Sequence, residues 1–384
     1  MRVNRKAEGR AASGHPWIFA SDIEDRGGAQ PGDTVKVVGP RGQAIGIAHF
    51  SSTSQITLRV LGRRLETTDS AFFQARIGEA LAHRKRVVTD SEAFRLVYSE
   101  GDRLPGLIAD YYNGHVVLQL LTQGMDRSAD TIVAVLQNLL NPRSIVARND
   151  VPVRKLESLP LESRVLFGAP PDRVEFRMNG LVLQADLVRG QKTGTFLDQR
   201  ENYLAAARFA RGNALDCFSS TGGFALHLAK SCERVEAVDS SAEALRIAGA
   251  AAEANGISNI QFREANVFDL LSGYAGARRR FGAVVLDPPA FAKSRANRDA
   301  ALKAYREINY KALRLIETTG ILVTCSCSHH VSESDLLETV AAAALDAGRT
   351  LRVLERRSQG QDHPILLTVP ETLYLKCLIL QCLD

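Results

Sequence analysis

The sequence predicts an α/β fold: nucleotide-binding strand–helix alternation in the C-terminal half, behind a small β-barrel and an α+β block. Three observations carry this expectation. The stretch from Ala214 to Asp239 reads as a strand (Ala214 to Phe218), a small-residue turn (Ser219 to Gly223), a helix (Phe224 to about Lys230) and a second strand (Arg234 to Asp239). Strand-like runs then recur at Ile260 to Glu264, Phe281 to Leu286 and Gly320 to Cys325, separated by segments of helical spacing. The first 67 residues instead place short β-branched runs between Gly/Pro turns.

In chain order, Thr34 to Val38, Ala44 to Phe50 and Gln55 to Leu61 are the strands of the barrel, with a basic cluster (Arg2, Arg5, Lys6, Arg10) at its start and Arg59, Arg63 and Arg64 at its end. That charge suits either a solvated face or contacts to RNA phosphates. Ser70 to Val88 is a helix with a basic face (Arg76, His83, Arg84, Lys85, Arg86). Strands follow at Phe94 to Ser99, Leu107 to Asp110 and Val116 to Leu121, then a helix at Asp126 to Leu140 and a strand at Ser144 to Ala147. This block carries no evident chemistry. Arg173 to Arg177 and Leu181 to Leu187 flank Asn179-Gly180, a tight hairpin. The polar run Arg189 to Asn202 is expected to close over a ligand, leading into a helix at Glu201 to Ala210. Further helices are expected at Ala242 to Asn255, Asn297 to Glu317 and Glu333 to Ala347, and final strands at Thr350 to Glu355 and Tyr374 to Gln381. The implied domains are 1–69, 70–175 and 176–384.

Composition narrows the class. The chain has 384 residues, 45% hydrophobic and 24% charged, as expected of a globular protein of two or three domains. A net charge of +5 permits a nucleic-acid partner without requiring one. No apolar run approaches a membrane span, and the N-terminus lacks a secretory h-region. The six cysteines form neither a C-x-x-C pair nor a zinc pattern, so thiols in a reducing cytoplasm are expected, with no metal.

Ligands of such sheets sit at the carboxyl ends of the strands. Residues 219–223, Asp239, Asn266, Asp287 and Cys325/Cys327 all fall there. Asp239 stands 23 residues after Asp216, the distance at which an acid takes ribose hydroxyls, but the glycines do not spell G-x-G-x-x-G. A turn with only Gly222 and Gly223 suits a nucleoside without a pyrophosphate, such as S-adenosylmethionine. Asp287-Pro288-Pro289-Ala290-Phe291 stiffens a strand end and exposes carbonyls to a base's exocyclic amine. Thr324-Cys325-Ser326-Cys327-Ser328 puts two thiols at alternate positions. A thiolate there is what methylation of a pyrimidine at carbon 5 needs: attack at carbon 6 creates an enamine that takes the methyl group. Asp287 is suited to stabilising the developing charge.

On these motifs the chain resembles the class I S-adenosylmethionine-dependent 23S rRNA 5-methylcytosine methyltransferases of the RlmI type, over essentially its full length. The matching residues are Gly14-His15-Pro16-Trp17, in what the family builds as a PUA domain; Gly101-Asp102-Arg103-Leu104-Pro105-Gly106-Leu107; Lys192-Thr193-Gly194 with Phe196-Leu197-Asp198-Gln199-Arg200; Asp216-Cys217-Phe218 with Thr221-Gly222-Gly223-Phe224; Asp287 to Phe291; Ser326-Cys327-Ser328; and Asp362-His363-Pro364. The resemblance implies Cys327 as nucleophile, with Cys325 as runner-up and Asp287 in support. It implies cofactor contacts from Lys192, Thr193, Phe196, Asp198, Gln199, Arg200, Asn202, Asp216, Phe218, Ser219, Thr221, Gly222, Gly223, Asp239, Ser240, Asn266, Val267, Phe268 and Asp287. Pro288, Pro289 and Phe291 would hold the target base. The implied partner is 23S rRNA or the large subunit, and dimers occur among PUA-containing relatives. Ser220 (usually Tyr), Asn266 (usually Asp) and His329-His330 (usually Gly) depart from the pattern. Two rival readings are an amino-group methyltransferase using Asp287 to Phe291, which needs no thiol, and a non-catalytic RNA-binding protein.

Overall fold

The structure, a computed structural model, describes residues 1–65, 67–188, 195–292 and 294–384. It divides into two compact units, one of residues 1–197 with 361–372, the other of 198–360 with 373–384.

The first unit carries two main sheets. One has six strands in the order Trp17–Phe19, Ile56–Gly62, Ala44–Phe50, Thr34–Val38, Arg2–Val3, Ile23–Asp25. Its two edge strands are joined only by the turn Ala20–Asp22, whose three residues span roughly 10 Å at most, so the sheet curls back on itself. A helix, Arg5–Ala12, replaces the strands and turns expected at the start of the chain. Asn4 caps it by accepting from the Ala7 amide, and Ala7 and Ala11, one turn apart, are its buried face. Of the basic cluster here, Arg10 is paired with buried Asp22 at 2.6 Å.

The other sheet has five strands in the order Ser163–Gly168, Ser144–Arg148, His115–Leu120, Leu107–Tyr112, Ala93–Tyr98, with helices Ser70–Val87 and Ala129–Leu140 closing one core with it. Strand Ser163–Gly168 was not anticipated; most of its residues are exposed, so it lacks the alternating pattern that marks a half-buried strand. Arg84, read as part of a basic face, is buried. Its guanidinium grips Asp102 (2.6 Å to Oδ2) and donates to the Asp362 carbonyl at 2.8 Å, while Asp362 Oδ2 accepts from the Arg95 amide. The Gly101 to Gly106 and Asp362 to Pro364 motifs therefore meet. Gly101 leaves no room for a side chain, a Cβ there lying 2.6 Å from the Pro364 carbonyl oxygen. Both motifs hold the fold of this unit together.

The second unit is one seven-stranded sheet. We number its strands β1 (Asn213–Cys217), β2 (Arg234–Asp239), β3 (Ile260–Glu264), β4 (Phe281–Leu286), β5 (Ile316–Ser326), β6 (Leu351–Arg357) and β7 (Lys376–Cys382), and its helices α1 (Arg200–Phe209), α2 (Gly223–Leu228), α3 (Ala242–Ala254), α4 (Val267–Gly276), α5 (Arg298–Leu313) and α6 (Glu333–Asp346). The strand order is 3-2-1-4-5-7-6, parallel from β1 to β5, with β7 inserted antiparallel between β5 and β6. Leu215, Val284 and Leu322 pack with Ile308 and Leu313 of α5 and Leu336 and Val340 of α6. Helix α4 was missed, and the expected helix to Glu317 ends at Leu313 because Ile316 already pairs with Phe281 in the sheet. Among the described residues, no helix is long and apolar enough to cross a membrane, and no cluster of His, Cys, Asp or Glu could hold a metal ion.

Replacing Asp102 by Ala leaves the buried Arg84 guanidinium uncompensated, and unfolding of the first unit should become easier by about 3–5 kcal/mol. Urea titration checks this; a loss below about 1 kcal/mol would show that the pair is dispensable.

Candidate active site

The backbone leaves β1 through left-handed conformations at Phe218 (φ 62°), Ser220 (φ 48°) and Gly222 (φ 83°). Non-glycine residues accept such angles only when the surroundings fix them. Packing also demands the glycines: a Cβ on Gly222 would lie 2.9 Å from Ala248 Cβ, and one on Gly223 would lie 2.4 Å from the Tyr203 hydroxyl. Two carboxylates fix the turn. Asp216 Oδ2 accepts from Ser219 Oγ at 2.7 Å and from the Ala225 amide at 3.0 Å. Asp239, at the end of β2, accepts from the Ser220 amide (2.8 Å) and the Ser241 amide (2.9 Å). Asp216 Oδ1 is buried and accepts no hydrogen bond among the described residues.

Burial raises the Asp216 carboxyl to about 7, with Asp287 and Asp239 adding repulsion and the Ser219 and Ala225 donors opposing the shift. The unoccupied oxygen and the shared negative field suit a ligand bearing hydrogen-bond donors and positive charge. Asp239 retains lone pairs beyond its two amide bonds, as a diol would require.

At the end of β4, Asp287 Oδ1 accepts from Gln199 Nε2 at 3.1 Å. Gln199 Oε1 accepts from Asn202 Nδ2 at 2.7 Å, and Asn202 Oδ1 from Arg357 Nε at 2.8 Å. Asp198 accepts from the Tyr374 hydroxyl, and Arg200 pairs with Glu201. Of the polar run, then, Gln199 and Asn202 support Asp287 from beneath. Tyr203, which no sequence motif singles out, is buried under the glycine turn. It stacks on His227 with ring centroids 5.1 Å apart and meets Phe224 edge-on at 4.8 Å. Burial holds its phenol well above the usual range, and the charges of Asp287, Asp198 and Asp216 add to this. An aromatic residue one turn into the helix behind a polar run was the available signal.

Pro288 is buried, Pro289 exposed, and Phe291 packs on Tyr305 with centroids 4.8 Å apart. Asn266 caps α4, its Oδ1 accepting from the Phe268 and Asp269 amides, with Val267 buried and Phe268 half-buried behind it. Thr221 is half-buried and Ser240 exposed. Phe196 belongs to the first unit, and Lys192 and Thr193 lie outside the described residues.

The two cysteines differ. Cys325 lies on β5 directly opposite Cys377 and is fully buried; burial, then its neighbour Cys377, pushes its thiol far above the usual range. Cys327 follows the last residue of β5 and is half-buried at the rim. A sealed, neutral thiol is inert, whereas an accessible one next to the strand ends can act as a nucleophile.

Because the folded Asp216 carboxyl titrates near 7 and the unfolded one near 3.9, its contribution to stability is intact below about pH 4 and lost as pH rises through 7. In ligand-free protein, Asp216→Asn should therefore gain on wild type by several degrees of Tm between pH 4 and pH 8. Scanning calorimetry at those pH values checks this; a constant difference would mean the carboxyl titrates normally.

A family model for a PUA-like domain matches residues 1–63, and one for a methyltransferase domain matches residues 209–366. Proteins named ribosomal RNA large subunit methyltransferase I align over nearly all of the chain. That of Tolumonas auensis is 38% identical, covering 96% of both chains. That of Shewanella denitrificans is 40% identical, covering 95% of this chain and 94% of its own. Among solved structures, one described as a SAM-dependent methyltransferase from Streptococcus mutans superposes with a TM-score of 0.85 over 99% of both chains, at 19% identity, and shares the fold. With identity of this level sustained from end to end, the chain belongs to the ribosomal RNA large subunit methyltransferase I family.

Proposed function

We propose that this protein methylates carbon 5 of a cytosine in large-subunit rRNA, with Cys327 as the attacking thiol. Its class, an S-adenosylmethionine-dependent rRNA methyltransferase, follows from the family. The cytosine carbon and the residue roles are the further step. The observation that carries them is the contrast at the end of β5, where Cys327 is half-buried at the rim while Cys325 is sealed opposite Cys377.

S-adenosylmethionine supplies an electrophilic methyl group when bound. Asp239, the turn from Phe218 to Gly223 and the free Asp216 oxygen are the groups suited to hold it, with Asn266 to Phe268 at the next strand end. The rest of the work is to make carbon 5 of the base nucleophilic. The Cys327 thiolate forms a bond to carbon 6, and the electron pair of the carbon 5–carbon 6 double bond becomes available at carbon 5. As the methyl carbon bonds to carbon 5, its bond to the donor sulfur breaks; water then takes the carbon-5 proton, the carbon 5–carbon 6 double bond returns, and the bond from Cys327 Sγ to carbon 6 breaks to regenerate the thiolate. Asp287, braced by Gln199, would accept from the exocyclic amine of the base as a carboxylate, or donate to its ring nitrogen when protonated, as charge develops. Pro288 and Phe291 would frame the same pocket.

Methyl transfer from labelled S-adenosylmethionine to unmodified 23S rRNA tests the reading. Cys327→Ala should lose activity by at least about a thousandfold, Cys325→Ala should keep most of it, and the label should sit on carbon 5. RNA carrying 5-fluorocytosine at the target should trap a covalent adduct, because fluorine cannot leave as the proton does. If Cys327→Ala stays active, the thiol route is wrong and an amino-group acceptor is the better reading.

A further inference from the structure

Lys376 is a buried charge that the reaction outlined above leaves without a task. It opens strand β7, ahead of the apolar run Cys377-Leu378-Ile379-Leu380, and is 4% exposed. Because β7 runs antiparallel to β5 with Lys376 opposite Ser326, the side chain arises beside the residue that precedes Cys327. Its Nζ donates to the Ser328 carbonyl at 2.7 Å and to the Tyr374 carbonyl at 2.8 Å. Those two bonds use two of its donors and leave one position of the nitrogen to serve another group.

The turn it grips is itself closely held. Ser328 Oγ accepts from the Ala292 amide at 3.2 Å and lies 3.1 Å from the Tyr305 hydroxyl, while the Ser328 amide donates to Ser326 Oγ. Ser326 and Ser328 are fully buried, so between them only Cys327 reaches the rim. The Asp287 to Phe291 loop and the cysteine turn are thus joined through one hydroxyl. An unpaired ammonium would be costly at such a place. Burial lowers Lys376 to about 8, and attraction to Cys327 and then to Asp335 opposes that shift.

We propose that Lys376 is a positioning residue for Cys327: it fixes the turn through the Ser328 carbonyl and supplies the counter-charge that keeps the sulfur as a thiolate. The proposal rests on Cys327 being the nucleophile. Among the described residues, charged or titratable groups near this pair include Asp335 from α6, Tyr305 from α5, and His329 and Tyr374, which pack together with ring centroids 5.8 Å apart. Asp335 is engaged by Arg298 at 2.6 Å, and burial keeps the Tyr305 phenol neutral. Among the described residues, Lys376 is a cation whose charge is felt by the thiol and whose Nζ holds the next residue's carbonyl.

Alkylation by iodoacetamide, followed on the Cys327 peptide by mass spectrometry from pH 5 to 10 with neither RNA nor cofactor, tests this directly. In wild-type protein the midpoint should fall below about 8.5, the value of a free thiol. Lys376→Met should raise it by about one unit and slow alkylation at pH 7 roughly tenfold, and Lys376→Arg should restore most of the reactivity. A wild-type midpoint at or above that of a free thiol, or an unchanged Lys376→Met, overturns the proposal, and the wild-type curve decides alone if the Met variant does not fold. Because no methyl transfer is measured, the outcome stays separate from the nucleophile reading, which falls only if Cys327→Ala still methylates rRNA.

Discussion

The second unit is arranged around a backbone that must reverse hand immediately after β1. Three left-handed residues within five, two of them not glycine, cost roughly 1–3 kcal/mol at each non-glycine position. Such a turn persists only if its donors are held from outside, and Asp216 and Asp239 do so from two different strands. The consequence reaches further than the turn. Because Asp216 is buried with one oxygen committed to Ser219 and Ala225 and the other without a donor among the described residues, burial favours its neutral form up to about pH 7, and the carboxyl is left sensitive to whatever enters the rim. Tyr203, wedged beneath Gly223, makes the same geometry rigid from below.

Most of this fold is legible in the sequence where local signals and burial agree. Arg234–Asp239, Ile260–Glu264 and Phe281–Leu286 end where a polar residue or turn interrupts the β-rich run, and the structure keeps those ends. The failures have local causes. Arg5–Ala12 has only two buried residues, both alanine, so its helical period is faint beside its charges. Ser163–Gly168 is an edge strand whose side chains are largely exposed, leaving no alternation to read. Helix α5 was overextended because Leu315 and Ile316 continue its apolar spacing, although pairing with β4 draws them into the sheet. In each case tertiary contact, rather than propensity, sets the state of the segment.

At the site, what a strand end dictates could be read directly, and what distant pairing dictates could not. Asp216, Asp239, Asp287 and Cys327 declare themselves because each follows an apolar run and the topology sends such ends to one rim. Lys376 declares only that a charge opens a buried strand. Its neighbourhood becomes visible once β7 is known to lie antiparallel to β5, a pairing between residues some fifty positions apart. The Cys325–Cys377 contact is hidden for the same reason, and it is what separates two cysteines that look equivalent in sequence.

The distribution of charge around the rim connects these features. Asp216 is raised partly by Asp287 and Asp239, so the acidic groups there repel one another across a shared, poorly solvated space. A pyrophosphate would add to that repulsion, whereas a ligand with a sulfonium and an ammonium relieves it. On the proposed reading, methyl transfer removes the sulfonium charge while the carboxylates remain, so the spent cofactor loses part of its attraction as the reaction completes. Beyond β4 the sign reverses: Lys376 stands beside Cys327, where a negative sulfur must be favoured. Carboxylates at the ends of β1, β2 and β4 and a buried ammonium behind the end of β5 thus divide one rim into a half that suits a cationic cofactor and a half that suits an anionic nucleophile.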